Sequence, residues 1–390
     1  IQGHASGTGV LTVTAPNTST DRTITLPDST GTLLNSDGDG SSLTGITSSF
    51  SGLTDTTVST SDPAINSNPS ATGHIWVNKS SGESYVCTDA TAGANVWKNI
   101  GDGTGSVDPH YDSELLCVAG GGSGGLGIGG GGGAGGYRTN SALQLALGVT
   151  YTITVGAGAA AANGQSVIGN SGSASSISGS GLTTVSSAGG GAGGGYNDAG
   201  IDGGSGGGGA LYGSNSDAVP NSGGDGNTPS VSPSQGNDGG NSWHEGSATT
   251  AGGGGGSSAA GGNGAGNNAG NGGNGTANSI TGSSVTYAGG GGGSHHSGAN
   301  SNSSGGSGGG GQGGYTSNNN TATDATANTG SGGGGDGYNT TTASGAGGSG
   351  IVILKVPTAK YSGTTSGSPT VTTSGDYKVI KFTGSGTYTG

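Results

Sequence analysis

Long glycine runs are the feature that most constrains how this chain can fold. The first is AGGGSGGLGIGGGGGAGG, at residues 119–136. Shorter runs follow at residues 188–195, 203–209, 252–256, 261–275, 289–293, 305–314, 332–337 and 345–350. Glycine accounts for 100 of the 390 residues, and it loses more conformational entropy on ordering than any other residue. The runs are therefore either flexible linkers or segments that a strong interaction holds in place.

Hydrogen bonding between neighbouring runs is the interaction that fits these residues. A polyproline II helix has three residues per turn and no internal hydrogen bonds, so its N–H and C=O groups point outward and need partners. Because glycine has no side chain, a second such helix can come close enough to supply those partners. The runs recur along the chain and are bracketed by β-like segments. We therefore predict a bundle of polyglycine II helices bonded side by side.

Composition excludes several classes of protein. Only 27% of the residues are hydrophobic and 7% are charged, which leaves too few large apolar side chains for a conventional core of this length. The formal charge of −13, with eight Lys and Arg together, argues against a nucleic-acid surface and against docking on anionic lipid. No apolar run is long enough to cross a membrane. Chance G-x-G-x-x-G matches lack the βαβ setting of a dinucleotide site, so no cofactor is expected.

The first 113 residues read as two β-rich segments. In residues 1–50, VLTVTA and RTITLPDSTGTLL alternate apolar residues with threonine, which is typical of strands. This segment has too few large apolar residues for a core of its own, so we expect several identical chains to intertwine as a shaft. The chain begins at Ile1 and contains no Met, and we expect it to continue a longer polypeptide. Residues 51–113 form a second, small β module.

Three strands are predicted in the small module, at residues 74–78, 84–88 and 96–100. The sequence KSSGE between the first two is typical of a hairpin turn. Trp76 and Trp97 are expected to pack in a small aromatic core, and stacking on a sugar is the alternative.

Two cysteines and two histidines lie in or beside this module. Cys87 and Cys117 are expected to be buried free thiols. His74 and His110 have no metal-ligand partners at suitable spacing, so both are expected at the surface.

Residues 114–357 form the glycine-rich domain, and residues 358–390 are expected to add C-terminal strands that complete its sheet. The apolar run at 351–356 is predicted to pair with residues 115–118 and 151–155 in one sheet. The resulting fold class is mostly β with non-regular structure and essentially no α-helix. In the expected architecture a trimeric β-rich shaft precedes a glycine-rich domain of packed polyglycine II helices and short antiparallel strands.

Aromatic and histidine residues stand in the polar loops between the glycine runs. Loops on a rigid scaffold often carry binding, and Tyr, Ser, Gly and Asn suit adaptable recognition. The candidate receptor-binding residues are Tyr196, Tyr212, Trp243, His244, His295, His296, Tyr315 and Tyr338. Packing of each ring on the bundle is the alternative. The pair His295–His296 could bind a metal, but no metal site is expected because the pair stands alone in a polar loop.

Several motifs together carry a resemblance to a known group of proteins. In order they are the start at VAGGG, the strand TITVGAG, the exit GSGIVILKVP and the tail GDYKVIKFTGSGTYT. Over roughly residues 114–390 this pattern resembles the glycine-rich domain of bacteriophage tail fibres and adhesins. RTITLPDSTGTLL and GHIWVNKSSGESYVCTDATAGANVW also resemble shaft modules of marine and cyanobacterial phage fibres. Similar domains occur in some animal receptor tyrosine kinases, but this chain has no kinase motif.

The resemblance implies a homotrimeric fibre of the virion, joined to other tail proteins through a preceding N-terminal part. Apical loops between polyglycine II helices would then bind a glycan or an outer-membrane protein of the host cell. The alternatives are a structural filament protein without receptor binding and a glycan depolymerase. A depolymerase would use paired carboxylates, and the acidic residues available in the loops are Asp198, Asp202, Asp217 and Glu245. Because these stand isolated among polar residues, a non-enzymatic role is expected.

Overall fold

A computed structural model describes most of the chain, and the predicted shaft at residues 1–50 lies outside the described part. The described residues are 55–101, 109–212, 219–245, 248–296, 303–315, 321–337 and 343–390. Within these ranges the regular structure is strands in several sheets, with one short 3₁₀ turn at Thr358–Lys360. The predicted fold class, mostly β with essentially no α-helix, is confirmed for this part of the chain.

The small module is a four-stranded sheet in the order β1-β2-β3-β4. Its strands are β1 (Thr56–Ser59), β2 (Ile75–Asn78), β3 (Ser84–Asp89) and β4 (Val96–Asn99). β1 and β2 are parallel, and the other neighbours are antiparallel. The three predicted strands are confirmed to within one residue at each end.

The interior of this module is small and aromatic. Trp97 and Cys87 are each 1% exposed, so the core role of Trp97 is confirmed, whereas Trp76 is half-buried and packs edge-on against Trp97. The expectation that His74 lies at the surface is wrong. Its ring packs edge to face on Trp97, and its Nε2 lies 2.8 Å from the Thr57 hydroxyl, because the parallel strand β1 lies beside β2 and brings Thr57 next to His74.

Fourteen further strands belong to the glycine-rich part and the tail. In chain order they are β5 (His110–Val118), β6 (Tyr137–Ala146), β7 (Thr150–Thr154), β8 (Ser175–Gly179), β9 (Leu182–Ser187), β10 (Trp243–Glu245), β11 (Ala248–Thr250), β12 (Thr276–Asn278), β13 (Val285–Tyr287), β14 (Ile351–Pro357), β15 (Thr365–Ser366), β16 (Thr370–Ser374), β17 (Tyr377–Phe382) and β18 (Gly386–Thr389).

Two five-stranded sheets pack face to face as a sandwich at one end of the glycine bundle. Their orders are β16-β17-β14-β5-β6 and β15-β18-β7-β8-β9. The interior between them holds Leu115 and Phe382 from the first sheet and Tyr151 and Tyr388 from the second, each at most 1% exposed. Strands of the tail belong to both sheets, so residues 358–390 are an integral part of the sandwich.

One predicted pairing is confirmed and one is wrong. The apolar run at 351–356 pairs with β5, with Ile353 opposite Leu116. Residues 151–155 do not join that sheet, because β7 pairs with β18 and β8 in the second sheet. The burial patterns give the reason. β7 alternates between buried and exposed residues and so has one apolar face. β14 is buried on both faces, between the second sheet and the β12–β13 hairpin.

Lateral backbone hydrogen bonds hold the glycine runs together, as predicted. The segment 129–136 lies at the centre, and its successive N–H groups donate to three runs in turn over 2.8–3.1 Å before returning to the first. The acceptor runs are 188–194, 252–255 and 330–336. Its carbonyls accept bonds from three other runs, at 119–125, 203–209 and 291–294. A three-residue period with six neighbours is the arrangement expected of packed polyglycine II helices.

The spacing of the bundle leaves no room for side chains in its interior. A Cβ atom added at Gly131 would overlap the carbonyl oxygen of Gly291, and one added at Gly130 would overlap that of Gly208. Both carbonyl groups accept backbone hydrogen bonds, so moving either of them to make room would weaken those bonds. Glycine is therefore required here by the close approach of neighbouring helices.

Asparagine and aspartate side chains complete the hydrogen bonding at the bundle surface. Asn241 Oδ1 accepts from the N–H of Gly223 at 3.0 Å, and Asn271 Oδ1 accepts from the N–H of Ser304 at 2.8 Å. Such residues recur every third position in the outer runs, as in Gln235, Asp238 and Asn241 or in Asn271 and Asn274. Each acceptor satisfies an N–H that a further helix would otherwise bind.

We expect Gly131→Ala to lower the free energy of unfolding by about 1–3 kcal/mol or more, because the added methyl group overpacks a rigid backbone. Gly384→Ala is the matched control, since a Cβ there meets nothing within 4 Å. Chemical denaturation of both variants tests this. Equal stability of the two would contradict close helix packing at the centre of the bundle.

We expect Asn271→Ala to destabilise the fold by about 0.5–1.5 kcal/mol, because the N–H of Ser304 loses its acceptor. Asn267→Ala is the control, since Asn267 is exposed in a turn of the same run and its side chain bonds to no described residue. Denaturation midpoints of the two variants give the comparison. A control that is as destabilised as Asn271→Ala would mean that the capping bond contributes nothing.

Candidate recognition surface at the far end of the glycine bundle

The end of the bundle away from the sandwich is built around a tight turn at residues 126–128. The run that leaves β5 after Val118 reaches this turn in eight residues, which corresponds to roughly 25 Å at the rise of a polyproline II helix. The chain then returns through residues 129–136 to β6. The turn is therefore held well away from the sandwich by paired backbone on both sides.

Two apolar side chains are buried at this turn. Leu126 and Ile128 are 1% and 0% exposed. Ile128 has a φ of 63°, in the left-handed region that β-branched residues rarely adopt. Such a conformation persists only where the surrounding structure enforces it. Leu126 and Ile128 are the only large apolar residues inside the nine runs, so the sequence carries a signal for this turn.

Hydrogen bonds bring three other parts of the chain to the same turn. The N–H of Tyr196 donates to the carbonyl of Leu126 at 3.0 Å, and the N–H of Ser294 donates to the carbonyl of Gly129 at 3.0 Å. The N–H of Gly129 donates to the carbonyl of Asp336, also at 3.0 Å. These bonds fix where the loops after residues 196, 294 and 336 begin.

Tyr196, Tyr212 and His296 form one group of rings at this end. The rings of Tyr196 and Tyr212 stack with centroids 4.8 Å apart and an angle of 27° between planes. The His296 ring meets Tyr212 edge-on at 6.0 Å. All three residues are half-buried, so part of each ring remains open to solvent.

His295 and Tyr315 form a second, buried pair. Their rings stack at 4.2 Å, and the residues are 1% and 9% exposed. The backbone of His295 also bridges to Thr250 on one side and to Tyr315 on the other. Burial lowers the pKa of His295 to about 4. These two residues pack beneath the surface residues. Because they are buried, they cannot contact a ligand directly in this conformation.

Trp243 and His244 lie on the β10–β11 hairpin, which adjoins this buried pair through Thr250. Trp243 is half-buried and pairs in register with Thr250. His244 Nδ1 lies 3.1 Å from the Thr249 hydroxyl. Seven of the eight candidate residues, all except Tyr338, are therefore placed around one end of the bundle. Tyr338 lies outside the described residues, directly after Gly337.

The acidic residues considered for a depolymerase have varied settings. Asp202 Oδ1 accepts from the N–H of Asp225 at 2.7 Å, which is a capping contact of the kind found elsewhere on the bundle surface. Glu245 ends β10 and is exposed, and Asp217 lies outside the described residues. Across the described ranges, no three His, Cys, Asp or Glu side chains come together as a metal site. A search of the same ranges also finds no helix suited to spanning a membrane.

Both cysteines are free and buried, as expected. Burial raises the pKa of Cys117 to about 11, so its thiol stays protonated at neutral pH. Cys117 packs in the sandwich interior and belongs to the scaffold.

Comparison with known proteins adds one finding to this geometry. The family model described as "Glycine-rich domain" matches residues 101–357, which is more than half of the chain. The chain therefore belongs to the glycine-rich domain family. No curated protein matches the sequence. The matched range covers the whole bundle and ends at the last residue of β14, so the tail strands that complete both sheets lie beyond it.

We expect the folded protein to lose stability as pH falls from about 6.5 to about 4, by up to about 3 kcal/mol from His295 alone. In this window the unfolded chain takes up a proton at His295 and the folded chain does not, so acid favours unfolding. His295→Phe keeps a stacking ring and removes the titration, which should flatten that part of the pH profile.

The control for this experiment is His110→Phe, because His110 is exposed at the start of β5. It should keep the full pH dependence of the unchanged protein. Unfolding free energies measured across the window give the comparison. An identical slope in His295→Phe and the unchanged protein would contradict burial of a neutral imidazole.

Proposed function

We propose that this chain is part of a bacteriophage tail fibre that attaches the virion to the surface of its host cell. The observation that carries the proposal is the gathering of aromatic loop residues at one end of a backbone-bonded bundle. The resemblance of the chain to glycine-rich phage fibres and adhesins supplies the biological setting. The proposed role is binding without catalysis.

Rigidity of the bundle favours a recognition role for this end. Each candidate loop begins at a residue that is tied to the bundle by backbone hydrogen bonds or ring contacts. A scaffold of this kind limits the entropy that loops lose when a partner is bound. Loop sequences can then vary without disturbing the scaffold, which suits a protein that must match a variable cell surface.

The chemistry of the end favours a polar, largely uncharged target. Tyr196, Tyr212, Trp243 and His296 combine flat apolar faces with polar edges, as is common in binding surfaces. The proposed receptor is a cell-surface glycan or a polar region of an outer-membrane protein. In the proposed fibre three copies of the chain assemble, so weak contacts at each tip are strengthened by multivalency.

A binding experiment tests the proposal. The purified chain is added to a panel of candidate bacterial hosts, and bound protein and inhibition of phage adsorption are measured. We expect saturable binding to particular strains. Tyr212→Ala and Trp243→Ala should each weaken it at least about tenfold, in line with losses at aromatic contacts in interfaces.

Tyr377→Ala is the matched control, because Tyr377 is an exposed tyrosine on the sandwich, away from the bundle end. It should bind as the unchanged protein does. Unchanged binding by Tyr212→Ala and Trp243→Ala, with folding intact, would favour the second candidate function, a structural filament protein. The feature that favours that alternative is the closure of the bundle surface by the chain's own asparagine and aspartate side chains.

A further inference from the structure

A second candidate site lies on the side of the sandwich, far from the aromatic end. It is an open groove of about 540 Å³ on the outer face of the first sheet, within the range of about 300–1,000 Å³ that is usual for ligand pockets. Strands β5 and β6 form its floor, and the β12–β13 hairpin forms one wall. No part of the proposed function uses this groove.

A β-bulge in the edge strand β6 shapes the groove. Pairing between β5 and β6 shifts between Ser113 and Leu115, so that Ser141 and Ala142 form the bulge opposite Glu114. The side chain of Asn140 accepts from the N–H of Ala142 at 2.9 Å and so holds the bulge. Bulges of this kind often re-aim side chains beside functional sites.

Glu114 and Tyr137 give the groove both an acceptor and a donor. Glu114 Oε1 accepts from Lys355 Nζ at 2.7 Å, while no described residue bonds to Oε2, so this oxygen can accept from a ligand. The Tyr137 hydroxyl accepts from Asn278 Nδ2 at 2.8 Å, which leaves its own hydrogen to donate. Burial raises the pKa of Tyr137, so the hydroxyl keeps this hydrogen at neutral pH.

The remaining groove surface is uncharged and, apart from Leu115 and Ile280, polar. Thr139 and Ser141 are exposed and offer hydroxyl groups. Glu114 is the one charged residue of the lining, and its ion pair with Lys355 balances that charge. The Tyr137 ring supplies a partly apolar surface. Hydrogen-bond donors and acceptors beside an aromatic ring match a ligand that bears several hydroxyl groups and an apolar ring face.

From these features we propose that the groove between β5, β6 and the β12–β13 hairpin binds a neutral sugar unit. Glu114 and Thr139 hydrogen-bond its hydroxyl groups, and Tyr137 donates to one of its oxygens. The site is separate from the aromatic end, so it gives the chain a second carbohydrate contact on its flank.

An NMR titration of the whole chain tests this proposal. The probes are the methyl glycosides of glucose, galactose, mannose and N-acetylglucosamine, and the readout is the shift of the side-chain amide of Asn278 and of the backbone amides of Thr139 and Ser141. At least one probe should cause saturable shifts there. Glu114→Gln and Tyr137→Phe should each raise its dissociation constant at least about tenfold, because each removes a hydrogen bond to the sugar.

Tyr361→Phe is the matched control and should leave the titration unchanged, since Tyr361 packs elsewhere on the sandwich. Melting curves identify any variant that fails to fold, and the other groove variant then decides the result. Tyr212→Ala should not alter these shifts, which separates this proposal from the binding role of the bundle end. Absence of saturable shifts for all four probes, or shifts that both groove variants preserve, would overturn it.

Discussion

Lateral hydrogen bonds between glycine backbones are the interaction on which the rest of this structure depends. In most domains an apolar interior offsets the entropy lost on folding. Here the segment 129–136 is surrounded by six other runs and bonded to all of them. Each bond contributes only about 0.5–1.5 kcal/mol net, so stability must come from their number and from their burial together.

The sandwich and the bundle depend on each other. Strands β5, β6 and β14 continue directly into glycine runs, so the apolar core of the sandwich sets the relative positions of those runs. At the opposite end, Leu126 and Ile128 bury apolar surface where the chain reverses. The bundle therefore has a buried apolar cluster at each end, and asparagine and aspartate side chains accept hydrogen bonds from the N–H groups along its sides. This arrangement explains how a chain with few large apolar residues can hold a defined fold.

Much of this architecture could be predicted from the sequence, because glycine runs and apolar strands leave few alternatives. The lateral bonding of the runs and the pairing of residues 351–356 with β5 follow from the absence of side chains and from a continuous apolar pattern. The division into two sheets could not be predicted, since period-two alternation identifies a strand but not its neighbours. Surface capping by residues such as Asn241 and Asn271 depends on how separate runs lie side by side.

The sequence predicted which residues belong to the candidate surface, but not how they are arranged in space. Tyr, Trp and His residues between runs pointed to the loops, yet only the fold reveals that Tyr196 stacks on Tyr212 while His295 and Tyr315 are buried beneath. The groove at Glu114 had no signal in the sequence, because it depends on a bulge and on a distant hairpin.

Hydrogen–deuterium exchange of the amides in residues 129–136 tests the central claim most directly. If backbone bonds between runs hold the fold together, these amides exchange as slowly as those of the buried strand β14, through global unfolding. Exchange at the rate of an unstructured peptide, while β14 stays protected, would contradict the account.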